Sequence, residues 1–245
     1  MARGEWIALL DADDRWHPAR LASLQPFLDD SDVVSDDIMI DSGDRRNSTL
    51  LSANGFMISA PIFLGALDIA RYQLGLLKPL IRRSFLREHE IRYDPSLHIG
   101  EDFTLFIELL LAGARWRQIP DAYYVYRRRK GSLTNDRRQH IEGRLKSDSA
   151  LLTRLDVQRE PELIRVLEKR VQRLREFATL LAVLELMAER KWRAIARWAA
   201  ADPRLAPLVL GTAARHAYHW SKRRVRTSRA ARATREPYSA NPDEA

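Results

Sequence analysis

Three carboxylates, Asp11, Asp13 and Asp14, stand together directly after the apolar run Trp6-Ile7-Ala8-Leu9-Leu10. Neighbouring acids repel one another and resist burial, and a divalent cation resolves both conflicts. Hard carboxylate oxygens suit Mg²⁺ or Mn²⁺, which take one or two protein acids and complete their coordination with phosphate oxygens and water. Residues i and i+2 of an extended strand point the same way, so Asp11 and Asp13 are expected to reach one ion from a strand end. Asp14 is then a further substrate contact or the cap of a following helix. A solvated strand-to-helix turn is the plainer reading of Asp-x-Asp taken alone.

A second acid pair, Glu101-Asp102, opens the stretch "GEDFTLFIELLLAGA". Carboxylates are favoured at a helix N-terminus by its dipole, so capping alone would account for the pair. Taken with the strand-end acids, the pair completes what sugar transfer from a nucleotide donor requires. One acid set grips a metal and a diphosphate leaving group, and a separate carboxylate takes the proton of an attacking hydroxyl. A phosphatase of the haloacid-dehalogenase type also places Asp-x-Asp after its first apolar strand, with the first Asp as nucleophile. Here Asp14-Arg15-Trp16 follows, where that family has a glycine-like residue and then Thr or Val, and no later Lys and acidic pair stands out.

The acids need a scaffold, and the chain supplies alternating elements. Residues 5–11 read as a buried strand, 17–28 as a short helix entered at Pro18, and 31–40 as a β-branched strand. The polar stretch 41–55 reads as a loop, and 60–75 has mixed helical character. Residues 78–97 read as a strand, a helix and a turn at Asp94-Pro95. Phe103, Phe106, Ile107, Leu110 and Leu111 fall at the spacing of one buried helical stripe, closed by Gly113. "RWRQIP" and "AYYVYRR" read as two short strands split at Pro120-Asp121. From about residue 139 the pattern is helical only, with apolar residues at Leu163, Leu167, Val171, Leu174, Ala178 and Leu181, and a further helix is expected over about 203–222. The expected fold is an α/β layer followed by an all-α extension. The divisions are 1–135, 136–224 and a basic, disordered tail over 225–245.

Composition narrows the chemistry. The chain has 245 residues, a net charge of +8 and no cysteine, which excludes disulfides and thiolate zinc sites. No apolar run reaches the roughly 18 residues of a membrane span, and a cytoplasmic protein is expected. The basic surplus lies in "YRRRKGS" and "HWSKRRVRTSRAARATR". A basic segment beside an apolar helix with Trp220 suits an anionic membrane surface, while a solvated basic tail explains the same residues. Charge alone supports no nucleic-acid site, because no binding module or stacking platform accompanies it.

"ARGEWIALLDADDRWHPARL", "LIRRSFLREHEIRYDPSLHIGEDF" and "YYVYRRRKGSLT" together resemble family 2 glycosyltransferases, enzymes of the GT-A fold that act in bacterial polysaccharide assembly. The resemblance runs from about Ala2 to about Thr134, and the exopolysaccharide, succinoglycan-type subgroup is the most similar. It implies a partial GT-A sheet and inverting transfer from a nucleotide-diphosphate sugar to a saccharide or lipid-linked acceptor, with Mn²⁺ or Mg²⁺. Carried onto this sequence, Asp11 and Asp13 match the Asp-x-Asp acids, with Asp13 the more direct metal ligand and Asp11 shared between metal and donor. Asp102 matches the acceptor-activating base, with Glu101 beside it, and Asp14, Arg127 and Arg129 stand where substrate contacts are expected. Trp6 and Trp16 read as packing residues, and His17 and His98 as surface or packing residues more than metal ligands.

The family pattern also implies a nucleotide-binding half ahead of the Asp-x-Asp strand, with one strand ending in a Pro-x-Tyr-Asn-like turn and a second in Asp-Asp-Gly-Ser. At about thirty residues per βαβ unit that half amounts to roughly 60–100 residues, and these words are absent from the sequence. The expectation is that these 245 residues alone transfer little sugar, and that a non-catalytic remnant or binding module of the family is the alternative.

Overall fold

The computed structural model describes residues 2–41, 48–127, 137–154 and 156–201, together with residues 207 and 211. The chain divides into two compact units, Met1–Arg175 and Glu176–Ala245.

The first unit is built on one mixed sheet. Its described strands are β1 (Trp6–Ala8), β2 (Arg15–Trp16), β3 (Val33–Asp41), β4 (Ser48–Thr49), β5 (Ile62–Leu64), β6 (Leu80–Arg82) and β7 (Trp116–Arg127). They run in the order β1-β6-β3-β7-β2, with β4 added to β3 and β5 added to β7. The centre is the parallel pair β3 and β7, in register from Val33 opposite Trp116 to Asp41 opposite Arg127. Parallel strands with both faces covered need near-continuous apolar runs, and Val33, Val34 and Ile38 are fully buried.

Helices cover the sheet: α1 (Arg20–Leu24), α2 (Leu50–Ala53), α3 (Ala66–Arg71), α4 (Arg83–Glu88), α5 (Glu101–Leu111) and α6 (Arg137–Leu152). The helix α5 is covered nearly all round. Phe103, Thr104, Leu105, Phe106, Ile107 and Leu109 are all buried, because α3 and α6 flank it as well as the sheet. Phe106 meets Trp116 of β7 edge to face at 4.9 Å. The left-handed residue Gly113, at φ +90°, stops the helix. The next helix, α7 (Pro161–Ala188), starts in this unit, where Leu163 and Leu167 join the core of the sheet. In the second unit Val183, Met187 and Ile195 form a small core of their own, Ile195 belonging to α8 (Trp192–Ala201).

The expected α/β layer followed by helices is what the structure has, with differences in detail. The strand expected over 5–11 is only three residues long and, among the described residues, lies at an edge, paired with β6 alone, so Leu10 is half exposed. The helix expected from Pro18 starts at Arg20 and passes into a 3₁₀ turn over Gln25–Phe27. The expected loop 41–55 contains β4 and α2, the latter capped by the Thr49 side chain. The two strands expected around Pro120 are one. Ser35 pairs with Gln118 but Asp37 pairs with Ala122, so the proline sits in a bulge where its missing N–H breaks no ladder bond. Of the helix expected over 203–222 only residues 207 and 211 are described, both helical, and the tail lies outside the described residues.

Candidate functional site

The site starts at the end of β1. Residues 11–14 do not continue the strand; they form a turn closed by the Asp14 N–H donating to the Asp11 carbonyl at 3.1 Å. The strand alternation expected to aim Asp11 and Asp13 the same way is therefore absent, because the strand ends at Ala8 and both acids stand in the turn. The Asp11 carboxylate faces Lys78. That of Asp14 accepts from the Tyr124 hydroxyl at 2.7 Å and from the Arg127 backbone N–H at 2.9 Å. Asp14 thus does not cap α1, whose N-cap is Ala19. The Asp13 carboxylate makes no hydrogen bond or ion pair with the described residues.

Tyr124 pins this turn to the centre of the sheet. Its ring is fully buried, and its oxygen accepts the Asp11 N–H at 3.1 Å while donating to Asp14. Burial, with the Asp14 hydrogen bond and the Asp11 and Asp14 charges, raises its pKa, so the phenol stays protonated as a donor.

The second acid group stands at the start of α5. Gly100 caps the helix in the left-handed region, at φ +85°, and Glu101 and Asp102 occupy the first turn, where the dipole favours negative charge. Both oxygens of Asp102 are engaged. Oδ2 accepts from Lys78 Nζ at 2.7 Å and Oδ1 from the Tyr93 hydroxyl at 2.7 Å. The same Lys78 nitrogen lies 3.1 Å from Asp11 Oδ2. One buried ammonium therefore joins the turn acids to the helix acid. Burial pulls the Lys78 pKa down, but the Asp102 and Asp11 carboxylates outweigh it and hold it above the ordinary lysine value. Burial first, then Asp102, raises the Tyr93 phenol. An oxygen of Glu101, Oε2, is buried without a hydrogen-bond partner.

Beneath these groups lies a fully buried ion pair. Arg20 of α1 donates to Asp36 of β3 through Nε at 3.0 Å and Nη2 at 2.8 Å, and Nη2 also reaches the Lys78 carbonyl. The other Asp36 oxygen accepts the Tyr123 N–H at 3.0 Å. The guanidinium lies 4.8 Å from the centre of the Trp16 ring and 5.0 Å from that of Tyr124. A buried charge costs several kcal/mol unless paired and hydrogen-bonded, and this pair is both. It ties the backbone of Lys78 to the sheet.

Of the residues singled out from sequence, Asp11, Asp14, Glu101 and Asp102 gather around Lys78, Tyr93 and Tyr124. Arg127 contributes its backbone N–H to Asp14, and its side chain is exposed. Arg129 lies outside the described residues. Trp6 and Trp16 pack against the core clusters. His17 is a turn residue whose Nδ1 accepts the Ala19 N–H at 3.2 Å, and His98 is exposed. Sequence reading missed Lys78, Tyr93, Tyr124 and the Arg20–Asp36 pair. The signals were a lysine inside "LLKPL" and two acids inside the β-branched run "VVSDDIMI".

Among the described residues no three Asp, Glu or His side chains converge to hold a metal ion. The available donors are the Asp13 carboxylate and the Asp11 oxygen not facing Lys78. Two acids fit Mg²⁺ or Mn²⁺ only where a diphosphate and water complete the coordination.

Comparison with known proteins follows the same lines. Residues 1–89 match the family model Glycosyl transferase family 2. The chain is 31% identical over 211 residues to the succinoglycan biosynthesis protein ExoO of Rhizobium meliloti (strain 1021), covering 82% of this chain and 60% of that protein. It is 29% identical over 218 residues to the succinoglycan biosynthesis protein ExoU of the same strain, covering 84% of this chain and 62% of that protein. The chain thus spans less than two thirds of the length of these curated relatives. The crystal structure of S. aureus TarS 1–349 in complex with UDP-GlcNAc superposes with a TM-score of 0.51 at 20% identity, over 68% of this chain and 48% of that one, a likeness of fold.

Proposed function

We propose, for a chain that belongs to glycosyl transferase family 2, that it transfers a sugar from a nucleotide-diphosphate donor to a hydroxyl of a saccharide or lipid-linked acceptor, with inversion, in polysaccharide assembly. The observation that carries this reading is the pairing of Asp102 with Asp11 through Lys78, 2.7 and 3.1 Å from the two carboxylates. A base for the acceptor and an acid for the donor side thus share one short space.

In this reading Asp102 accepts the proton of the acceptor hydroxyl as its oxygen bonds to the anomeric carbon. The bond from that carbon to the diphosphate oxygen breaks, and the electron pair leaves with the nucleoside diphosphate. Tyr93 and Lys78 hold the Asp102 carboxylate in place, and Glu101 adds negative charge beside it. Asp13, with the free oxygen of Asp11, would hold Mn²⁺ or Mg²⁺. That ion, when bound, neutralises charge gathering on the diphosphate. Asp14 keeps the turn in shape through Tyr124 and the Arg127 N–H, and the Arg127 and Arg129 side chains would meet phosphate or acceptor. Contact with the inner face of a membrane through the basic C-terminal segment belongs to the same reading. No described helix is long and apolar enough to cross a membrane, and the segment itself lies outside the described residues.

The test is a panel of UDP- and GDP-hexoses with Mn²⁺, following release of the free nucleoside diphosphate with and without short saccharide acceptors. Asp102→Asn is expected to lower transfer by about 10²–10⁴-fold, the usual contribution of a general base, while nucleotide-sugar binding persists. Transfer by Asp102→Asn at the parental rate removes it as base. Binding without transfer by the parent chain favours a binding module of the family.

A further inference from the structure

The start of α5 is held by a helix that lies beyond both acid motifs. Gly143 of α6 abuts Ile99, so closely that a Cβ at Gly143 would stand 2.7 Å from Ile99 Cβ and 3.0 Å from its Cδ1. One turn later Ser147 abuts Gly100, where a Cβ on the glycine would fall 2.2 Å from Ser147 Oγ. Lys146 Nζ donates to the Ser96 carbonyl at 3.3 Å. Three positions of α6 are thus in register with residues 96, 99 and 100, immediately before Glu101-Asp102.

The other side of the acid pair is held from the same helix. Asp148, 1% exposed, pairs with Arg170 of α7 at 3.2 Å. The Arg170 guanidinium lies 4.0 Å from the centre of the Phe103 ring, one residue past Asp102, and donates to the Ala70 carbonyl at 3.4 Å. Helices that approach through glycine and serine bring backbones within direct contact, and close-packed contacts of this kind have no slack to absorb an added methyl.

We infer that α6 is a positioning element for the acceptor base. Gly143 and Ser147 are positioning residues that set where Asp102 stands relative to Lys78 and Asp11, and neither touches substrate. The inference rests on Asp102 acting as the base. Its structural part, the control of the first turn of α5, can be read without any sugar transfer.

The experiment compares the full chain with Gly143→Ala and with Ser147→Thr, which adds a single methyl. Glu142→Ala, at an exposed site on the same helix, is the control. Amide hydrogen exchange is followed at Thr104, whose N–H donates to the Gly100 carbonyl at 3.0 Å, and across β3 and β7. Nucleoside diphosphate release from the most active UDP- or GDP-hexose of the panel is measured in parallel. Gly143→Ala and Ser147→Thr are expected to exchange at Thr104 at least tenfold faster than the parent with β3 and β7 unchanged. Their kcat should fall at least tenfold while the donor KM stays within twofold. Glu142→Ala should change neither. Parental exchange at Thr104 in both variants overturns the inference, as does exchange that rises equally throughout β3 and β7. If the parent itself transfers no sugar, the proposed function fails, and the exchange at Thr104 still decides the positioning.

Discussion

Lys78 Nζ lies 2.7 Å from Asp102 Oδ2, and the lysine is only 6% exposed, so the candidate base carries its countercharge inside the protein. The same ammonium faces Asp11. Removing it leaves two acids close together with nothing between them. Lys78→Met is expected to cost about 1.5–3 kcal/mol of stability, the worth of a hydrogen bond to a charged group, because both acids left behind reach water, and to lower transfer at least a hundredfold. A urea melt and a nucleotide-release assay check both parts. A variant with parental stability and rate would show that the contact is incidental.

Tyr93 holds the other oxygen of Asp102 at 2.7 Å but is itself 43% exposed. Its hydrogen bond to a charged group is worth about 1.5–3 kcal/mol, and little of that should appear as folding stability, because water replaces it. Tyr93→Phe is expected to reduce kcat about 10- to 100-fold with the donor KM and the melting temperature nearly unchanged. An equal loss of stability and rate would assign Tyr93 a packing role.

Asp13 is the turn acid without a partner among the described residues, so its substitution should touch ligand binding and not folding. Asp13→Ala is expected to melt like the parent and to bind nucleoside diphosphate with the same affinity whether or not Mn²⁺ is added. In the parent, Mn²⁺ should tighten binding at least tenfold. Calorimetry with UDP, in Mn²⁺ and in EDTA, decides. A full Mn²⁺ response in Asp13→Ala would remove it as the ligand.

The sequence made the acids legible and hid what holds them. Asp11, Asp13 and Asp14 follow a strand, and Glu101-Asp102 opens an amphipathic helix; both are local patterns. Lys78 joins them from 24 residues before Asp102, and Tyr124 reaches Asp11 from 113 residues away. Neither partner is visible to a periodicity or a short motif. Local reading also failed where tertiary pairing overrode propensity. Pro120 signals a strand break, yet a bulge against Asp36 lets β7 run on to Arg127. Trp6-Ile7-Ala8-Leu9-Leu10 reads as a buried strand on composition alone, but only the sheet order shows that it has a single neighbour among the described strands. The helical stretch after residue 139 differs in composition from what precedes it, and composition carries no sign that α6 packs onto the helix that bears Asp102. Gly143 and Ser147 are the only local hints of that approach.

The last prediction concerns a charge placed in the core of β3. Asp37 is 3% exposed. Its Oδ1 accepts the Ile38 N–H at 2.7 Å and the Leu51 N–H at 3.0 Å, which fixes the start of α2. Burial, and to a lesser degree the neighbouring Asp36, raises its pKa above the ordinary 3.8, against the hydrogen bonds that lower it. A group whose folded pKa is raised adds stability that is fully present below the unfolded value and is lost as pH rises through the folded one. Ionised Asp37 is therefore a liability at neutral pH. Asp37→Asn keeps an oxygen for both backbone donors and cannot ionise. The urea midpoint of Asp37→Asn relative to the parent is expected to be near zero or negative at pH 3. It should turn positive as pH rises above 3.8 and level off once the parent carboxyl is fully ionised. A difference that stays constant from pH 3 to pH 7 would mean that Asp37 folds with an unshifted carboxyl and that its two backbone hydrogen bonds balance its burial.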